Sequence, residues 1–111
     1  MDTLETYRQL CEKILTEYTL IPYAYGDIQI QTVFDRVSDH YMVMLVGREG
    51  KKRVHGCLIH LDIVQDKIWV QRDGTEHGIA RDLLEAGVPR DRIVLAFRSP
   101  EVRQETGFAV A

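Results

Sequence analysis

Between residues 27 and 72, apolar and polar side chains alternate in four short runs separated by turn residues. No other feature of the chain restricts its fold as much, because a period of two is the period of a β-strand. Residues 27–36 set Ile28, Ile30, Thr32 and Phe34 on one side and Gln29, Gln31, Val33 and Asp35 on the other. Ser38-Asp39 marks a turn. Residues 40–48 are apolar on both sides, as a central strand is, and Glu49-Gly50 reads as a hairpin turn. Residues 51–64 form a long strand with Cys57, Ile59, Leu61 and Ile63 inward; Gly56 in its middle suggests a bulge or a close approach. Gln65-Asp66 turns the chain again, and residues 67–72 form a short strand around Ile68 and Val70. Four strands joined by such short links predict an antiparallel meander.

Helices flank the meander. Leu4, Tyr7, Cys11, Ile14, Leu15 and Tyr18 draw one apolar stripe along residues 3–18, at helical spacing. Asp2 or Thr3 is placed to cap that helix, and Arg8 and Glu12 to pair across one turn of it. Pro22 and Gly26 end it and open an aromatic loop. Asp73-Gly74-Thr75 reads as a turn ending in a cap for a second helix over residues 76–86, with Ile79, Ala80, Leu83 and Leu84 as its stripe. Gly87 and Pro89 stop it. Residues 93–97 form a buried strand. The prediction is a single α+β domain over residues 1–111, in the order α-β-β-β-β-α-β, with both helices on one face of the sheet. Met44, Leu45, Cys57, Ile59, Leu61, Ile68, Leu83 and Leu84 are its expected core.

Composition then excludes function classes. At 111 residues, with 45% apolar and 28% charged side chains, the chain can bury roughly two thirds of its unfolded surface without a disulfide or structural metal. No apolar run approaches the roughly 20 residues of a membrane helix. The opening Met1-Asp2-Thr3-Leu4-Glu5 is acidic and unlike a secretory signal, so a cytoplasmic location is expected, with Cys11 and Cys57 reduced. A formal charge of −3 argues against a non-specific coat for nucleic acid.

The chemistry-bearing residues are few. His55 and Cys57 share a strand face but lack two further ligands, and His55 and His60, five apart, fall on opposite faces of a regular strand, so neither metal nor cofactor is expected. Glu49-Gly50-Lys51 has the letters of a nuclease core but sits at a hairpin tip. Arg48, Lys51, Lys52 and Arg53, against Glu49, leave three net positive charges on that hairpin, which suit either phosphate contact or protection of a sheet edge. Trp69 and Arg72, with Asp73 beside them, have the makings of an interface anchor; ordinary packing of Trp69 under a helix or loop is the alternative. Tyr18, Tyr23 and Tyr25 around Pro22 suit an interface or local packing equally. Asp73 and Glu76 would repel an anion at the second helix, so they read as caps. The chain contains no G-x-S-x-G, H-E-x-x-H, Walker A or G-x-G-x-x-G.

Several stretches look familiar. Met1-Asp2-Thr3-Leu4-Glu5-Thr6-Tyr7-Arg8, Ile21-Pro22-Tyr23-Ala24-Tyr25-Gly26-Asp27, Val54-His55-Gly56-Cys57, residues 67–76 and the terminal Gly107-Phe108-Ala109-Val110-Ala111 keep their order along essentially the whole chain. Together they resemble the XisI-like family, the excision-controlling factors of the fdxN element. The resemblance implies a factor that works with a companion XisH protein and a site-specific recombinase in programmed DNA excision. It supplies no catalytic motif. It therefore implies a non-catalytic accessory protein that touches its XisH-like partner, with Tyr23, Tyr25, Trp69, Arg72 and Asp73 as candidate contacts. Direct DNA binding through Arg48, Lys51, Lys52 and Arg53 is the second reading, and an enzyme the third. A strand apolar on both faces, with helices on only one, also predicts a homodimer.

Overall fold

The alternating runs form strands, but two of them carry an extra residue, and those two residues shape the molecule. The computed structural model describes residues 3–20 and 27–111. In chain order these are α1 (Thr3–Tyr18), β1 (Asp27–Asp35), β2 (His40–Glu49), β3 (Lys52–Val64), β4 (Lys67–Asp73), α2 (Ile79–Glu85), a 3-10 turn at Arg90–Arg92, β5 (Ile93–Leu95) and α3 (Pro100–Arg103). One sheet runs β1-β2-β3-β4-β5. Its first three pairings are antiparallel, as the meander requires, and β5 joins β4 in parallel. The fold is thus α+β with a mixed, mostly antiparallel sheet.

The core forms where the helix stripe meets one set of alternate strand residues. Tyr7, Cys11, Ile14 and Leu15 of α1 join Tyr41, Val43, Ile59, Leu61, Ile63, Ile68, Val70 and Ile93 of the sheet, with Ile79 and Leu83 of α2, in one buried cluster. Each aliphatic side chain so buried contributes about 1.5–3 kcal/mol relative to exposure. Of the expected core, Ile59, Leu61, Ile68 and Leu83 are fully buried, whereas Met44, Leu45, Cys57 and Leu84 are half-buried.

A bulge explains the position of Cys57. Val43 pairs with Ile59 and Met44 with Cys57, so Leu58 is the unpaired extra residue. A bulge resets the alternation. Cys57 therefore shares the face of Met44 rather than that of Ile59. His55, opposite Val46, and His60, opposite Met42, likewise fall on one face, against the strict-alternation reading. A second irregularity leaves Gln71 extra in β4, between the pairs His60–Arg72 and Leu61–Val70.

The second helix starts at Ile79, the first residue of its apolar stripe and three residues later than the expected start at residue 76. Asp73 is the reason. One carboxylate oxygen accepts from the Thr75 amide and hydroxyl, and the other from the Ile79 amide at 2.9 Å. The cap thus comes from six residues upstream, and the intervening chain is held as a loop. At the other end of the chain, α3 is an element the sequence reading lacked. Ser99 caps it through the Val102 amide, and Pro100 occupies its first turn. Ala109 then donates its amide to the Ile93 carbonyl at 2.9 Å, which ties the last residues to β5.

A polar lock fastens α1 to the β1–β2 turn. Arg8 Nε donates to Asp39 Oδ1 at 2.8 Å, Arg8 Nη2 to Oδ2 at 3.2 Å, and the Tyr41 hydroxyl to Oδ1 at 2.8 Å. Arg8 does not pair with Glu12; Glu12 instead receives Arg36, which bonds Glu5 as well. The hydrogen bond from Arg8 holds the Asp39 carboxyl below its ordinary value, with the Tyr41 hydroxyl adding to the effect. A depressed carboxyl adds stability that is present above the unfolded-state value and lost as pH falls through the folded one. Asp39→Asn keeps the shape and tolerates the φ of 57° at this position. It is expected to cost about 1 kcal/mol near neutral pH, the upper end for a partly exposed pair. Urea midpoints of the two proteins should converge below about pH 4; a gap independent of pH would remove the charge from this account.

Candidate functional site

The strand residues that alternate with the core set make up a second face, and the register arranges them in rows. Asp35, His40, Asp62, Trp69 and Val94 form a row across all five strands. Beside it run Val33, Met42, His60 and Arg72, then Gln31, Met44 and Cys57, then Gln29, Val46 and His55, and last Asp27, Arg48 and Arg53. The middle of this face is apolar: Val33 is exposed, and Met42, Met44, Val46 and Cys57 are half-buried. One end carries imidazoles and a carboxylate, the other two arginines.

The sequence-derived candidates divide across this frame. Trp69 lies in the first row, half-buried, with the Arg103 guanidinium 5.6 Å from its ring centroid. Arg72 is exposed on the same face, and its Nε donates to the Cys57 carbonyl at 3.1 Å. Asp73 pairs with Ile59, a core residue, so it stands on the opposite face with its carboxylate committed to α2. The structure thus brings Trp69 and Arg72 together and separates Asp73 from them. Arg48 and Arg53 are direct cross-strand partners, and like charges so placed are destabilising. Lys52 faces Glu49 and Lys51 occupies the turn; all four basic residues are exposed. Tyr23 and Tyr25 lie outside the described residues.

The imidazole end is a cluster that the sequence reading missed. His40 Nδ1 and His60 Nε2 both donate to Asp62 Oδ1, at 2.6 and 2.7 Å. Gln71 Nε2 donates to the other carboxylate oxygen at 3.2 Å. The Asp62 hydrogen bond, followed by its charge, raises the His40 pKa above the ordinary imidazole value. Among the described residues, His40, His60 and Asp62 are the group of three metal-ligating side chains whose donor atoms lie within 4.8 Å of one another. A local signal existed in His60-Leu61-Asp62, where i and i+2 share a strand face. His40 joins only through cross-strand register.

A second polar cluster ties α1 to α2. The Tyr18 hydroxyl donates to Asp82 Oδ2 at 2.6 Å, and His77 Nε2 lies 2.9 Å from that hydroxyl and 3.0 Å from the same carboxylate oxygen. Clefts of about 420 and 440 Å³ flank the Tyr18–His77 stack. Burial and then the Asp82 hydrogen bond push the Tyr18 phenol well above its ordinary value. It stays protonated and cannot serve as a base near neutral pH.

Comparison with known proteins gives one consistent result. The sequence model of a family described as XisI protein matches residues 1–110. A solved XisI-like protein from Anabaena variabilis ATCC 29413 is 39% identical, with a TM-score of 0.90, covering 97% of this chain and 99% of its own. The solved fdxN element excision controlling factor XisI from the same organism is 33% identical, with a TM-score of 0.85, over 99% of this chain and 100% of its own. No functionally curated protein matches the chain significantly.

Proposed function

The chain belongs to the XisI protein family, and from that premise we propose that it is a non-catalytic controlling factor for excision of a DNA element, working by contact with a companion XisH-like protein. A site-specific recombinase would perform the strand chemistry. The observation that carries this reading is the second sheet face, with Met42, Met44 and Val46 at its centre, Trp69 at its side and arginines at its end. Met, aromatic residues and Arg are the side chains enriched where proteins meet. An apolar strip rimmed by polar groups is the pattern of a contact surface. Work on chromosomal DNA would place the factor in the cytoplasm.

The same face suits a second copy of the chain, so a homodimer and the hetero-complex would exclude each other. One experiment tests both. Co-expressed with its XisH-like companion, the wild-type protein is expected to co-purify, and Met44→Glu to weaken the complex by at least about tenfold, since a charge at the centre of an interface is left unpaired. Alone, the wild type should sediment as a dimer that Met44→Glu dissociates. A complex absent at micromolar concentration removes the partner reading, and a mass near 12.8 kDa throughout removes the dimer. Direct DNA binding is the second reading, favoured by the Arg48–Arg53 pair. It requires binding to the excision site that weakens as salt rises and is lost in Arg48→Ala/Arg53→Ala.

A further inference from the structure

We propose that His40, His60 and Asp62 form a binding site for a transition-metal dication of the zinc class, at the row-one end of the second sheet face. This inference does not depend on the excision reading. The three residues sit on two paired strands: His40 is the register partner of Asp62, and His60 precedes Asp62 by two, on the same face. The site is therefore built on sheet rather than loop, the kind of support that holds ligand geometry.

The donor atoms already converge. His40 Nδ1 and His60 Nε2 lie 2.6 and 2.7 Å from a single oxygen, Asp62 Oδ1. Around a tetrahedral zinc ion, with bonds of about 2.0–2.2 Å, neighbouring ligand atoms stand roughly 3.3 Å apart. The present separations are those of a proton-bridged set. Replacing the bridging protons with an ion opens these two separations by about 0.6–0.7 Å, well within side-chain torsional freedom. Gln71 anchors the carboxylate through its other oxygen, the outer contact that fixes the orientation of a metal-bound carboxylate. Gln71 lies two residues after Trp69, the register partner of Asp62, and is the extra residue of the β4 bulge. The His40 and His60 rings meet at 73° with centroids 6.0 Å apart, so neither blocks the other from a shared ion.

Chemistry selects the ion. Two imidazoles and one carboxylate suit zinc and its first-row neighbours, and are poor ligands for magnesium or calcium, which take all-oxygen sets. The Asp62 side chain is 13% exposed and that of His40 46%, so an ion held here would face solvent on one side. Its remaining position would hold water or a donor from a docked protein.

Equilibrium dialysis against zinc chloride tests the proposal, followed by elemental analysis, with cobalt(II) absorption reporting the ligand field. The wild-type chain is expected to retain about one equivalent, with the intense visible bands of tetrahedral cobalt. His60→Ala and Asp62→Ala should each weaken binding by more than about tenfold, and Gln71→Ala, an orienting contact, by about tenfold. His55→Ala, on the same face but outside the cluster, should match wild type. Circular dichroism of each variant establishes that it is folded. His40→Ala, whose side chain is the most exposed of the three, provides a second disruption should Asp62→Ala unfold. Zinc retained equally by wild type and the His60→Ala and His40→Ala variants would overturn the site, and so would a folded wild type that retains no zinc.

Discussion

Gly47→Ala is expected to destabilise the protein by at least about 3 kcal/mol, the upper part of the range for forcing atoms into packed structure. Gly47 lies opposite Ile28 where β1 pairs with β2. A Cβ built on it would stand 2.0 Å from the Asp27 carbonyl oxygen and 2.8 Å from the Ile28 Cα. Both are backbone atoms, so no side-chain rotation relieves the overlap, and the start of β1 must separate from β2. Gly56 supplies the control: it is also a strand glycine, opposite Leu45, but nothing lies within 4 Å of its Cβ position. Gly56→Ala should stay within about 0.5 kcal/mol of wild type. Urea denaturation of the pair decides the matter, and equal midpoints would show that β1 does not approach Gly47 as described. The neighbouring Asp27–Arg48 pairing would be lost along with the strand end.

Leu83→Ala is expected to cost about 2–5 kcal/mol, the range for emptying a closed core site. For a chain of this size that lowers the melting temperature by about 10–20 °C. Leu83 and Ile79 are the two buried side chains of α2, both fully enclosed. A seven-residue helix is far shorter than one that persists by itself in water. Its packing and the Asp73 cap therefore hold it, and loss of Leu83 should also loosen the Tyr18–Asp82 hydrogen bond beside it. Arg81→Ala on the exposed side, where Arg81 pairs with Glu85 across one turn, should change stability by a few tenths of a kcal/mol. A Leu83→Ala midpoint no lower than that of Arg81→Ala would mean that α2 is not docked through this side chain.

The excision-factor reading and the zinc site stand on different residues of one face, which makes them separable. Met44 lies in the middle row and Val46 beyond it toward the arginines, whereas His40, Asp62 and Trp69 share the row at the opposite end. Met44→Glu should leave zinc binding intact, and His60→Ala tests whether the companion protein needs an ion to dock. The same face would then contribute apolar contact at its centre and coordination at its end.

Local pattern alone determined the strands, the first helix and the family. A side chain's face follows from period two or 3.6 along a single segment, and the quoted stretches run through the whole chain in order, so both were legible without a fold. Arg48 and Arg53 were visible as a basic hairpin for the same reason: the turn that joins them lies between them in sequence. Other features depend on pairs that sequence spacing does not relate. The bulge at Leu58 shifted Cys57 off the core side and put His55 and His60 on one face, which strict alternation forbids. The residue that leaves the ladder is Leu58, two past Gly56, the glycine whose place in mid-strand suggests a bulge or a close approach. Asp73 reads both as a cap for the second helix and, because it follows Trp69 and Arg72, as an interface residue; the capping reading holds, and only the fold shows that its carboxylate reaches six residues forward to Ile79. His40 and Asp62 are 22 residues apart, and only the β2–β3 register makes them neighbours. Registers and bulges are settled by the summed burial of whole strands, a property of the assembled sheet, and that is why the imidazole–carboxylate cluster belongs to the tertiary structure and not to any stretch of the sequence.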